Sequence, residues 1–320
     1  MNRLNLTLVW LLVLAVPLSL LAGRVWIDPS GPLPAGATSI VMELRLPRAV
    51  LALLVGGGLG AAGAAMQGYL RNPLADPGLF GIAPGAALGA VLSLWTGYAA
   101  QGWTLPAFAL IGAATAMALL ALIAGRSGSV ILFTLAGMMI ASLAGALMSV
   151  AISLAPTPFA LSEIVTWLMG ALADRSWNDV WIAAPLCLAG IAVLASAGRA
   201  LDALTLGETA ARSLGVDPSR LRWLMIAGIG LTVGGSVAVA GIIGFVGLIV
   251  PHLMRPLTDG RPSQLLLPSA LAGALLLLVA DCLCRVLPLA GGELRLGIAL
   301  SLLGAPFFLH LLLRLRKDLA

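Results

Sequence analysis

The sequence predicts an all-α polytopic membrane protein, with about ten transmembrane helices in one bundle. Three observations lead there. Of 320 residues, 60% are hydrophobic and only 10% charged, against about 25% charged in a soluble domain. Mean hydropathy is +1.06. Apolar runs near the roughly 20 residues that cross a bilayer recur from end to end, joined by short polar connections. Together these exclude a soluble enzyme, a disordered chain and a disulfide-stapled secreted module. No soluble domain fits beside the spans, so residues 1–320 are expected to form a single transmembrane domain.

The first run, 4–22, is longer than the apolar part of a signal peptide and lacks a small-x-small cleavage site, so it is expected to stay as a span. Nine more follow at 47–70, 81–99, 105–124, 130–154, 180–197, 221–240, 242–257, 265–284 and 296–313. Residues 161–174 have a helical pattern but are too short and polar to span, and are expected to lie at one membrane face or dip partly in. Glycines repeat every four residues at Gly81, Gly85 and Gly89, at Gly56 and Gly60, and at Gly230 and Gly234. That spacing lets helix backbones approach closely in lipid.

The formal charge is +5, but the arginines sit singly between apolar runs and form no basic stripe, so no nucleic-acid partner is expected. They set topology instead. With the N-terminus in the cytoplasm, Arg3, Arg71, Arg126, Arg199, Arg212, Arg220, Arg222, Arg255, Arg261, Arg314, Arg316 and Lys317 fall inside. Arg24, Arg45, Arg48, Arg175, Arg285 and Arg295 fall outside. Both termini are therefore expected in the cytoplasm.

Catalytic chemistry is sparse. The single lysine, Lys317, follows no glycine-rich loop, which excludes a phosphate-binding P-loop, so energy coupling would need a partner. No metal, cofactor or catalytic site is expected. His252 and His310 fall in different spans, and Cys187, Cys282 and Cys284 read as apolar filler. Gly125-Arg126-Ser127-Gly128 matches the GxSG of intramembrane serine proteases but falls in a short arginine-bearing turn. Asp281 is an acid within a span, which argues for function, yet Arg285 four residues on supplies a local ion pair. A secondary transporter would need more such acids than the other spans offer.

The segment 204–220 reads as a short amphipathic helix and a new start. Leu206, Ala210 and Leu214 share a face and Glu208 is spaced to pair with Arg212. Gly215 suits a left-handed cap, and Asp217-Pro218 an N-cap with proline at the first helical position. Such a compact helix offers a docking knob for a soluble partner. Residues 71–78, RNPLADPG, read as a rigid corner. At the other side, Arg45 and Arg48 at the mouth of the second span suit either carboxylates arriving from outside or lipid phosphates.

These segments carry a resemblance to the FecCD/BtuC-type permeases of bacterial ABC importers. The matching stretches are LRLPR (44–48), GAAMQGYLRNPLADPGLFGI (63–82), WLMGALADRSW (167–177), LGETAARSLGV (206–216), AVAGIIGFVGLIVPHLMR (238–255), ADCLCR (280–285) and GAPFF (304–308), in the family's order. The resemblance implies a multi-pass inner-membrane subunit with ten helices, working as a homodimer with two cytoplasmic ATPase subunits and a periplasmic substrate-binding protein. ATP and Mg would sit on the ATPase, leaving this chain a non-enzymatic transport subunit.

It further implies that Glu208, Ala211, Arg212, Ser213, Leu214 and Gly215, within a coupling helix at about 206–216, enter the ATPase groove. Arg45, Arg48 and Arg285 would receive acidic residues of the binding protein. Ser129, Val130, Ile131 and Ser142 would belong to the gate and pathway. The expected cargo is an iron complex, siderophore or haem, with cobalamin as the alternative; the Asp-Pro-Gly corner resembles haem and cobalamin members. In ELRLGI (293–298), Arg295 stands where the family usually has proline.

Overall fold

The computed structural model describes residues 3–23, 26–28, 36–100, 102–124, 130–287 and 292–319. Among them every regular element is helical. Ser129 and the Gly125–Gly128 motif lie outside the described residues.

The chain begins with α1 (Arg3–Leu21). A short turn α2 (Ala37–Ser39) and a wider π-helical stretch, Ile40–Arg45, lead into α3 (Leu46–Leu70). α4 (Ile82–Trp95), α5 (Thr104–Ala124) and α6 (Val130–Ser153) follow, then the short α7 (Pro158–Leu168) and α8 (Trp177–Ser196). Two small helices, α9 (Gly198–Leu204) and α10 (Glu208–Ser213), precede α11 (Pro218–Ala240). The last three are α12 (Val246–Met254), α13 (Pro262–Val286) and α14 (Leu296–Leu319). All ten expected spans are present as helices. Among the described residues eight segments are long and apolar enough to cross a membrane, while α4 and α12 are shorter.

Those two differ from the sequence reading for a local reason. α4 ends at Trp95 instead of 99, where Gly97 takes φ 77°. The run 242–257 begins its helix only at Val246: Gly241 (φ 70°) and Phe245 (φ 67°) bracket a non-helical stretch that apolarity alone does not reveal. Irregular backbone of this kind is tolerated in a membrane protein only inside the protein or along a cavity. α7 is the partial helix expected near 161–174, starting earlier because Thr157 caps it, its Oγ accepting from the Ala160 N–H at 3.1 Å.

The centre of the bundle is α3, most of whose residues are buried, flanked by α13, α8, α11 and α12. Its glycines make this arrangement. A Cβ at Gly56 or Gly60 would overlap the carbonyl oxygens of Gly273 and Ser269 on α13. One at Gly63 would overlap Gly247 of α12. Gly85 and Gly89 bring α4 onto Gly112 and Phe108 of α5 in the same way, and Gly230 and Gly234 hold α11 against Met117 and Ala113. The small-residue repeats thus mark the close helix crossings, as their spacing implies.

Candidate functional site

The knob at 204–220 forms as its caps dictate. Gly207 (φ 102°) opens α10, and Gly215 (φ 85°) closes it. The Gly215 N–H bonds the Arg212 carbonyl at 2.9 Å and the Val216 N–H bonds that of Ala211 at 3.0 Å, the paired bonds of a Schellman end. Asp217 then caps α11, its carboxylate accepting from the Ser219 N–H at 2.8 Å. The expected Glu208–Arg212 ion pair is not formed; Glu208 instead lines a small space with Tyr69, Val130, Ala211 and Leu221.

Ala211, 2% exposed, is the anchor that seats α10 on the bundle. Leu206 and Leu214 are 68% and 64% exposed. Arg212 and Ser213 lie on the same exposed turn. Asp202 of α9 ties the knob to α13 by accepting from the Ser263 N–H at 2.8 Å and hydroxyl at 2.5 Å. The result is a rigid projection with two leucines facing away from the body, a surface that fits a partner.

Behind the knob runs an aromatic series absent from the sequence reading. Tyr69 meets Phe133 edge-on at 5.4 Å, and Phe133 stacks on Phe80 at 5.7 Å. These rings join the end of α3, the start of α6 and the 71–81 corner. Arg222, buried at the base of α11, donates to the Ala124 carbonyl at the end of α5.

The corner borders a cavity of about 400 Å³, lined by Asp76, Pro77, Ser236, Ile242, Phe245 and Phe308 among others. The non-helical stretch before α12 forms one wall. Asp76 accepts from the Gly78 N–H at 2.7 Å, and burial beside the cavity raises its carboxyl above the usual range against that hydrogen bond. Gln67 steadies the opposite side. It donates to the carbonyls of Gly247 and Leu248 at 3.3 and 3.4 Å and accepts from Arg255 at 2.8 Å.

Of the gate positions, Val130 faces the knob, while Ile131 is 73% exposed and Ser142 is exposed on α6. Ile131 and Ser142 share an open face with Leu135, Met138 and Met139. The family resemblance pointed to α6, but not to the cavity beyond it.

At the opposite end of α3, the two arginines separate in role. Arg45 donates to the carbonyls of Leu20 and Leu21 at 2.8 Å, closing the C-terminal end of α1, where a cation is favoured. Arg48 grips Asp281, with Nε 3.0 Å from both oxygens and Nη2 2.9 Å from Oδ1. Arg285 Nε lies 3.2 Å from the same carboxylate. The local Asp281–Arg285 pair read from sequence is therefore present, but the neighbouring α3 supplies a second cation. Arg285 is turned inward, 4% exposed and donating to the Ala22 carbonyl at 3.4 Å, instead of lying open at the surface. Glu293, which sequence reasoning passed over, reaches Arg48 at 2.8 Å.

Among the described residues no cluster of His, Cys, Asp and Glu is arranged to hold a metal.

Comparison with known proteins agrees with this architecture. The FecCD transport family model matches residues 11–314. The vitamin B12 import system permease protein BtuC of Salmonella arizonae is 41% identical over 313 residues, covering 97% of this chain and 93% of the relative. Its namesake in Salmonella typhimurium is also 41% identical and 94% covered. A solved structure, described as an inward-facing conformation of a presumed metal-chelate type ABC transporter, superposes with TM-score 0.89 and 33% identity over 98% of this chain. The chain belongs to the FecCD transport family, as a multi-pass membrane protein.

Proposed function

We propose that this chain is the transmembrane subunit of an ATP-driven importer for cobalamin, acting in the inner membrane as a homodimer with two ATPase subunits and an external binding protein. One observation carries the cargo: relatives that match nearly the whole chain at 41% identity are named vitamin B12 permeases. The expectation of an iron complex as main cargo yields to cobalamin on that finding. A ferric siderophore or haem remains the second reading, favoured by the metal-chelate description of the solved neighbour.

Geometry supports the coupling and docking roles. α10 is a rigid peg with exposed Leu206 and Leu214, suited to the groove of an ATPase, while Glu208 and Ala211 root it. Arg212, Ser213 and Gly215 complete its turn. ATP binding in the partner biases an outward-open against an inward-open state through contacts on this peg. Ser129, Val130, Ile131 and Ser142, with the open face of α6, are assigned to the gate and pathway. Arg45 and Arg48 are assigned to docking of the binding protein, with Arg285 holding Asp281 behind them.

The test is uptake by liposomes holding this chain with its ATPase and binding protein. Labelled cyanocobalamin should accumulate only with ATP inside and binding protein outside. Accumulation of a ferric siderophore or haem but not cobalamin would replace the cargo, and uphill movement by this chain alone would overturn the reading.

A further inference from the structure

Asp281 is fully buried and holds two guanidinium groups, those of Arg48 and Arg285. One carboxylate between two cations leaves a surplus positive charge, which is costly in a low-dielectric setting unless a second anion answers it. Glu293 answers it: its Oε2 lies 2.8 Å from Arg48 Nη2. The four groups form a graded series outward. Side-chain exposure rises from 0% at Asp281 to 4% at Arg285, 12% at Arg48 and 28% at Glu293. Glu293 is the least buried of the four, although the Oε2 that faces Arg48 is itself shielded from solvent.

Its hold also differs in kind. Three nitrogen atoms of Arg48 and Arg285 engage Asp281, whereas Glu293 meets a single nitrogen. Asp281 is fixed on α13. Glu293 lies in the non-helical connection before α14, directly after Gly292 at φ 114°, so it can leave without disturbing a helix.

We propose that Glu293 is a placeholder: it covers Arg48 in the resting permease and gives way to a carboxylate of the docking binding protein. This rests on the importer reading above. The position that accepts one glutamate on its least buried side accepts another of the same charge and shape once Glu293 withdraws, and the internal carboxylate, tethered nearby, competes with the incoming one. Removing it therefore strengthens docking. Apparent affinity scales with the fraction of time Arg48 is uncovered, so the gain is about fivefold if Glu293 covers it some four fifths of the time.

The experiment measures binding of the cognate binding protein to the permease–ATPase complex in nanodiscs by surface plasmon resonance, at low and high salt. Glu293→Gln should tighten binding about fivefold at low salt, with the gain shrinking as salt screens both carboxylates. Glu293→Lys should weaken it. A merely structural Glu293 predicts the opposite, namely unchanged or weaker binding by Glu293→Gln together with a lower melting temperature, and that result overturns the proposal. In a chain already carrying Arg48→Gln, the further change Glu293→Gln should no longer alter binding; an effect that persists without Arg48 also overturns the proposal. Failure of the unaltered complex to bind or transport at all would instead sink the importer reading.

Discussion

At the scale of single residues, two carboxylates behave in opposite ways. Asp281 is ion-paired with Arg48 and Arg285. Asp281→Asn leaves Arg285 buried without its counter-ion and Arg48 with Glu293 alone, a loss of about 3–5 kcal/mol. A lower melting temperature in detergent should report it, with Arg285→Leu in the same chain restoring part.

Asp76 has no cation among its described hydrogen-bond and ion-pair partners, and its carboxyl is raised by burial. The folded protein then holds that proton at pH values where the unfolded chain has released it. Stability is lost as pH rises through that window, and the full cost applies above it. Asp76→Asn keeps an acceptor for the Gly78 N–H and removes the cost. The variant should melt higher than the parent at pH 7.5, and the gap should close toward pH 4. A gap that widens on acidification would contradict the assignment.

At the scale of elements, stability rests on close helix crossings in place of large interlocked side chains. Gly60 has no room for a methyl beside Ser269, so Gly60→Ala should cost about 1–3 kcal/mol by pushing α3 from α13. Thermal unfolding measures this directly. The glycine spacing disclosed that such contacts exist, but not which helix each would meet. α3 and α13 are far apart in sequence, and a four-residue repeat carries no address.

The knob was legible in more detail, because caps are local: Gly215, Asp217 and Pro218 act on their own neighbours. What spacing could not supply was its rotation. The side facing the body is Ala211, while Leu206 and Leu214 face out. Leu214→Asp puts a charge on the exposed tip without touching the bundle. It should leave the unfolding free energy unchanged within about 0.5 kcal/mol and sharply reduce ATP-dependent uptake in the reconstituted importer. Normal uptake would remove α10 from coupling.

At the scale of the whole molecule, α6 and α14 carry rows of exposed apolar side chains, including Met138, Met139, Leu302 and Leu303. In one copy they pack on few neighbours. Exposed apolar surface is ordinary against lipid, so the homodimer is assigned from the importer reading and not from these rows. Crosslinking of single-cysteine variants on α6 and α14, after replacing the native cysteines, should trap a dimer if two copies meet there. Labels that report only lipid would place the interface elsewhere.

The sequence by itself determined the helical membrane class, the order of the spans, the local caps and the small-residue faces. Each follows from composition or from residues within a turn or two of one another. The tertiary structure alone decided that α12 starts late beside a cavity, that Arg48 on α3 meets Asp281 on the adjoining α13, and that Glu293 pairs with the same arginine. Those outcomes depend on which distant groups share a buried, weakly screened space. Charges brought together there must balance, and the linear order of residues does not state which ones will meet.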